Sequence, residues 1–218
     1  MYRASRTVWI LARLSVVGVL ALGACTSSVT VESKFPTPLV EPLPVRMGVI
    51  YDDDLKNYVY AEAVPEQSKW TIALGDANIA MLRPLFSTMF SSVQEVQSVP
   101  VQGAAADQLD GVIRPTVEKF EFDVPVGERD KFVEVWIQYK LTLYKPDGSV
   151  VTEWPVSGYG KAELMRSREE SVNEAAIVAL RDVGAAISTK FASQPDVSYW
   201  LQERKNAAAL SAASRSGI

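Results

Sequence analysis

The sequence predicts an α+β fold: a two-layer sandwich in which a mostly antiparallel sheet carries two helices on one face. Three observations lead there. From Phe132 to Tyr144, Val133, Val135, Ile137, Tyr139, Leu141 and Leu143 occupy odd positions, with Glu134, Gln138, Lys140 and Thr142 between them. A period of two marks a strand with one buried face. Lys145-Pro146-Asp147-Gly148 has tight-turn chemistry, and Val150 to Lys161 follows as the returning strand of a hairpin. Two further stretches, Asp76–Val93 and Ser167–Ala192, repeat apolar residues at helical spacing.

The other elements follow in chain order. Val45 to Tyr51 reads as a buried strand, ended by Asp52-Asp53-Asp54. Asn57 to Val64 is a second strand, and a short extended piece runs from Trp70 to Leu74. Asp76 is placed to cap the first helix, whose apolar stripe is Ile79, Leu82, Phe86, Met89 or Phe90, and Val93. Pro84 lies inside it and predicts a kink or a late start. Val93 to Val101 reads as a strand and the Ala/Gly-rich stretch Gln102 to Asp110 as a loop. From Val112 to Val124 the apolar parity changes from odd (Ile113, Val117) to even (Phe120, Phe122), which predicts a bulge near Glu118-Lys119. Two hairpin registers are open. A type I turn with Gly148 in the bulge places Leu143 opposite Val151; a two-residue loop places Leu143 opposite Val150 and Tyr139 opposite Trp154. Pro155 predicts an edge strand. Ser167-Arg168-Glu169-Glu170 has capping-box spacing before the second helix. Val197 to Leu201 is expected to pack back on the domain, and residues 202–218, rich in Ala and Ser, to form a flexible tail.

The N-terminus is a targeting segment. Arg3, Arg6 and Arg13 precede an apolar run from Leu14 to Leu22, and no acidic residue occurs before Glu32. The run is far short of the ~20 residues that span a bilayer. It ends at Leu22-Gly23-Ala24-Cys25, which holds the one cysteine of the 218-residue chain. This resembles the lipobox of bacterial lipoproteins. The resemblance implies cleavage after Ala24, a diacylglycerol on the Cys25 sulfur, a palmitate-type acyl anchor and a domain facing the periplasm. Thr26 follows, where an inner-membrane retention signal would place Asp, so the implied address is the outer membrane. Residues 1–24 are thus read as signal peptide and 25–44 as the lipidated Cys plus a tether punctuated by Pro36, Pro38, Pro42 and Pro44. At about 3 Å per residue that tether would reach roughly 60 Å. Residues 45–201 form the domain.

Composition narrows the chemistry. The 22 basic residues lose Arg3, Arg6 and Arg13 with the signal, leaving 19 against 26 acidic ones, a net charge of about −7. No basic patch favours nucleic acid. The chain contains no histidine, which excludes Ser-His-Asp and Cys-His nucleophile systems and the usual His-bearing zinc sites. Asp52-Asp53-Asp54 lacks the Gly and Glu spacing of a calcium loop and reads as a solvated turn. Glu118, Glu121 and Asp123 are a carboxylate cluster without a sign of burial. Ser157-Gly158-Tyr159-Gly160-Lys161 holds a Ser and a Lys, but strand glycines mark a bulge or close backbone approach more often than a Ser-Lys site. No enzyme, metal or cofactor is therefore expected. Phe132, Trp136 and Tyr144 occupy the even face of the best strand. They are candidates for a lesser core or for a protein or lipid patch, which Trp154 and Tyr159 could join in one of the two registers.

The order of lipobox, proline-rich segment, strands, helix, strand meander and final helix resembles small periplasm-facing lipoproteins, such as the LPS-assembly lipoprotein and the auxiliary lipoproteins of ABC-type envelope transport systems. The resemblance implies a non-catalytic, lipid-anchored accessory or assembly subunit with an envelope protein partner. The alternative is a lipid or glycolipid carrier or sensor.

Overall fold

A computed structural model describes residues 26–62, 69–100, 108–125 and 131–216. The signal segment, Cys25 and most of the Gln102–Asp110 loop lie outside the described residues.

The larger sheet has five strands in the order β5-β2-β6-β7-β8, with β2 at Leu43–Val49, β5 at Phe90–Glu95, β6 at Gly111–Asp123, β7 at Phe132–Tyr144 and β8 at Val150–Glu163. The last three form the expected antiparallel meander. Val133, Val135, Tyr139, Leu141 and Leu143 of β7 are fully buried. The β6–β7 register shifts between Val117 and Lys119, where the parity change requires it. Pro115 lies in this central strand, yet β2 pairs with β6 only as far as Ile113; its missing N–H falls beyond that ladder. Pro155 sits on β8, an edge strand, as predicted.

The hairpin takes neither expected register throughout. Gly148 has φ +91°, and its N–H donates to the Lys145 carbonyl at 3.0 Å, the left-handed residue that the type I turn needs. Tyr144 pairs with Val150, but a further irregularity then shifts Leu143 onto Thr152 and Leu141 onto Trp154. That extra residue turns Trp154 and Val156 to the buried face. The type I register carried on unchanged would have put Trp154 opposite Lys140 on the outer face; the irregularity restores the facing that the two-residue loop also gives.

A mostly antiparallel sheet does not survive. Strand β2 runs parallel to both neighbours, because the chain crosses over through a helical segment before returning as β5. A second sheet, in the order β1-β4-β3, comprises β1 (Thr26–Thr30), β4 (Lys69–Ala73) and β3 (Val59–Glu62). It caps part of the buried face: Trp70 meets Phe122 with ring centroids 5.3 Å apart, and Tyr60 meets Phe120 at 5.1 Å. Among the described residues the architecture is α+β with two sheets and four α-helices.

The stretch read as a tether is part of this fold. β1 pairs in parallel with β4 from Thr26↔Lys69 to Thr30↔Ala73. Val29 and Val31 are buried, and Phe35 and Val40 pack on the core. Small polar residues hid the strand. Val29 in the strand and Val31 just after it turn inward, and the strand's ladder partner lies 43 positions downstream.

Helix α1 (Asp53–Lys56) is a single turn. Helix α2 (Gly75–Met89) starts without a late onset and runs through Pro84; Asp76 lies inside it, and Leu74 is the cap residue, with no side-chain bond. Met81, Leu82, Leu85, Phe86 and Met89 are buried along it. That packing outweighs the roughly 3 kcal/mol that an interior proline costs. Helix α3 (Arg168–Lys190) is capped by Ser167, whose Oγ accepts the Glu170 N–H at 3.2 Å. Both helices lie on the odd face of β7. Tyr139 donates to Asn78 Oδ1 of α2, and Asn78 Nδ2 donates to the Leu55 carbonyl at 3.2 Å. α3 lies so close to β8 that a Cβ at Gly160 would be 1.9 Å from the Ala175 carbonyl oxygen, and one at Gly158 2.3 Å from that of Ala179. Close approach, the bland reading of the Ser157–Lys161 segment, is what these glycines serve. Helix α4 (Pro195–Ser216) buries Val197 and Trp200. It then continues through the residues expected to be a flexible tail, because alanine is the best helix former and Arg204 ties the helix to Asp110.

Two substitutions test this packing in urea unfolding. Gly160→Ala forces α3 off the sheet and should lower stability by about 2–3 kcal/mol; a loss below about 1 kcal/mol would contradict the close approach. Tyr139→Phe leaves a buried amide oxygen unpaired and should cost about 1–3 kcal/mol, whereas pairing it with Asn78→Ala should cost less than the sum of the single changes.

Candidate partner surface

The sheet's buried face is covered by α2, α3 and the smaller sheet. On its other face the described residues of β6, β7 and β8 have no covering layer along most of their length. Strand pairing sets the rows of that face: Glu121, Trp136 and Tyr159 in one, Asp123, Glu134 and Lys161 in the next, then Phe132 with Glu163. Trp136 and Tyr159 stack obliquely, centroids 5.3 Å apart at 42°, and stay 41% and 38% exposed. Phe132 is 43% exposed, with Lys161 Nζ 4.4 Å over its ring.

One carboxylate ties these rings together. Tyr159 Oη donates to Glu134 Oε1 at 2.6 Å, and Lys161 Nζ donates to the same oxygen at 3.1 Å. The tyrosine bond, then the lysine, hold the Glu134 carboxyl below its ordinary pKa. The same carboxylate pushes the Tyr159 phenol above its own. The result is a pre-ordered aromatic cluster whose charges are mutually satisfied. Beside Trp136 lies a shallow depression of about 350 Å³, bordered by Lys119, Glu121, Gln138 and Ser157.

Tyr144 does not belong to it. Eight residues along the strand from Trp136, it is about 26 Å away. It packs with Val99 against Ile50, Val96, Leu109 and Val112, a small satellite core. The sequence shows parity but not which end of a face is covered, so Phe132, Trp136 and Tyr144 looked equivalent. Trp154 is excluded too, turned inward against Phe191. Tyr159 takes its place, selected by the register.

A second concavity, a cleft of about 730 Å³, lies between β2 and α4. Leu43, Val45, Leu201 and Ala207 give it apolar walls, and Arg46, Arg204 and Lys205 line it beside Asp110. Burial of Asp110 opposes its ionisation. The Arg46 hydrogen bonds, from its N–H at 2.8 Å and its guanidinium at 3.3 Å, and the Arg204 contact outweigh burial and lower its pKa.

The other candidates do not converge. Asp52 Oδ1 caps α1 at the Leu55 N–H and Oδ2 accepts from Arg114 at 2.7 Å, while Asp53 and Asp54 are exposed. Glu118 and Glu121 are exposed and paired with Lys140 and Lys119. Ser157 lines the outer face, and Lys161 is engaged by Glu134. Among the described residues there is no cluster of metal-ligating side chains, and no helix is long and apolar enough to cross a membrane.

No protein-family model matches the chain, and no curated protein matches it. Solved structures do. A Xanthomonas campestris protein of the DUF330 family superposes with a TM-score of 0.50 at 13% identity, over 75% of this chain and 93% of that one. A neuraminyllactose-binding hemagglutinin homolog from Helicobacter pylori gives 0.52 at 12% identity, over 81% of this chain and 100% of that one. A minor lipoprotein from Acinetobacter baumannii superposes at 0.41 and 7% identity, over 70% and 93% of the two chains, too distant to carry weight. The chain shares the fold of the first two, at identities that carry nothing beyond the fold.

Proposed function

We propose that the protein is a non-enzymatic, lipid-anchored envelope protein that serves as an accessory or assembly subunit of an outer-membrane or envelope transport complex. The observation that carries this is the uncovered sheet face with its ordered Trp136–Tyr159 pair. Aromatic side chains held rigid in advance give contact area at low entropic loss, and Trp and Tyr are enriched among the residues that dominate interface energies. The Leu22–Cys25 lipobox supplies the anchor, and Thr26 after it favours the outer membrane. The shared fold with two bacterial proteins is compatible with an envelope role.

The cleft between β2 and α4 favours a second reading, a lipid or glycolipid carrier or sensor. Its volume falls within the range of about 300–1,000 Å³ typical of ligand sites. Its apolar walls and cationic rim suit an anionic amphiphile.

Photo-crosslinking in living cells, from positions 136 and 159 of the intact protein, separates the two. The subunit reading expects one reproducible protein adduct at both positions and none at the exposed control Tyr199. It also expects Trp136→Ala to weaken capture about 30-fold, the equivalent of about 2 kcal/mol. Absence of any protein adduct rejects it. Co-purified lipid that is lost when Ala207→Trp fills the cleft would establish the carrier instead.

A further inference from the structure

The position of β1 has a consequence for how the domain meets the membrane. Thr26 is already in register with Lys69. Cys25 is the residue before it in the chain, and adjacent Cα atoms are only about 3.8 Å apart. The acylated residue and the folded domain are thus separated by one peptide bond, with no tether between them.

Three contacts define what else lies at that end. Ser27 Oγ donates to Glu169 Oε1 at 2.7 Å, in the first turn of α3. Four residues, 164–167, separate the end of β8 from the start of α3. β8 ends at Glu163, opposite Phe132 at the start of β7, and the Leu164 N–H closes the corner on the Lys131 carbonyl at 2.6 Å. The start of β1, the β8–α3 connection and the start of β7 therefore share one end of the domain. Among the described residues, two large apolar side chains are exposed there, Phe132 and Met165, the latter at 37%. Lys131 and Arg166 flank them, but Asp123 and Glu163 offset those charges. Anchor position and apolar exposure, rather than net charge, select this end.

We propose that this end rests directly against the bilayer, with Phe132 and Met165 entering its interfacial zone. A side chain held at the surface by a neighbouring anchor needs little further affinity to partition there. The proposal rests on the reading of Cys25 as the acylated residue. It leaves Trp136 and Tyr159, on the outer face, free for a protein partner.

The test uses the full-length protein, purified from membranes and reconstituted in phosphatidylethanolamine–phosphatidylglycerol vesicles. Acylation of Cys25 removes the native thiol, so an introduced cysteine takes a single environment-sensitive fluorophore. Met165→Cys is compared with Lys190→Cys at the other end of α3, about 34 Å away for its 23 residues. Quenchers carried on the lipid should act several-fold more strongly on the label at 165. A flexible ten-residue insertion between Cys25 and Thr26 should reduce that difference while leaving acylation intact. Equal, weak quenching at both positions on a chain whose mass shows the acyl groups overturns the membrane contact alone. A chain whose mass shows Cys25 unmodified overturns the lipoprotein reading with it.

Discussion

The arrangement depends on how closely α3 can lie on β8. Gly158 and Gly160 remove the side chains that would otherwise hold helix and sheet apart, and the backbone carbonyls of Ala175 and Ala179 occupy that space. With α3 at this depth, Val172, Ala176, Leu180 and Val183 reach the odd face of β7. Its N-terminus then arrives where Glu169 can take Ser27, and α2 and the smaller sheet fill the remaining area. Larger side chains at those two positions would lift the helix and separate every layer contact that follows.

The same packing leaves the two faces of β7 in different states. The odd face is sealed by the helices and the smaller sheet. On the even face, Tyr159 and Lys161 both donate to Glu134, so that the local charges are satisfied. That arrangement leaves Trp136 partly exposed, at 41%, beside a carboxylate already engaged by Tyr159 and Lys161. The β2–α4 cleft has the opposite character, with apolar walls and an Asp110 carboxylate that keeps its two arginines in place.

Residues whose partners are near in sequence were legible. The alternation of β7, its bulged neighbour, the edge position of Pro155 and the Ser167 cap are all local signals, and each is where the pattern put it. What escaped depended on distant partners. β1 shows a single inward valine, Val29, among Ser and Thr, and its identity as a strand comes from β4. The parallel setting of β2 follows from crossovers that periodicity does not record. The aromatic surface was half legible: Phe132 and Trp136 follow from parity, but Tyr159 enters and Tyr144 leaves through a one-residue irregularity in the hairpin and a satellite core from distant loops.

The bond between Ser27 and Glu169 spans 142 positions. A contact of such sequence separation closes a long loop and forms late. During synthesis from the N-terminus, β1 meets its ladder partner β4 well before α3 exists, and the bond from Ser27 to Glu169 is added only once α3 is made. A chain truncated before α3 would leave the start of β1 held by its ladder with β4 but without the bond from Ser27 to Glu169.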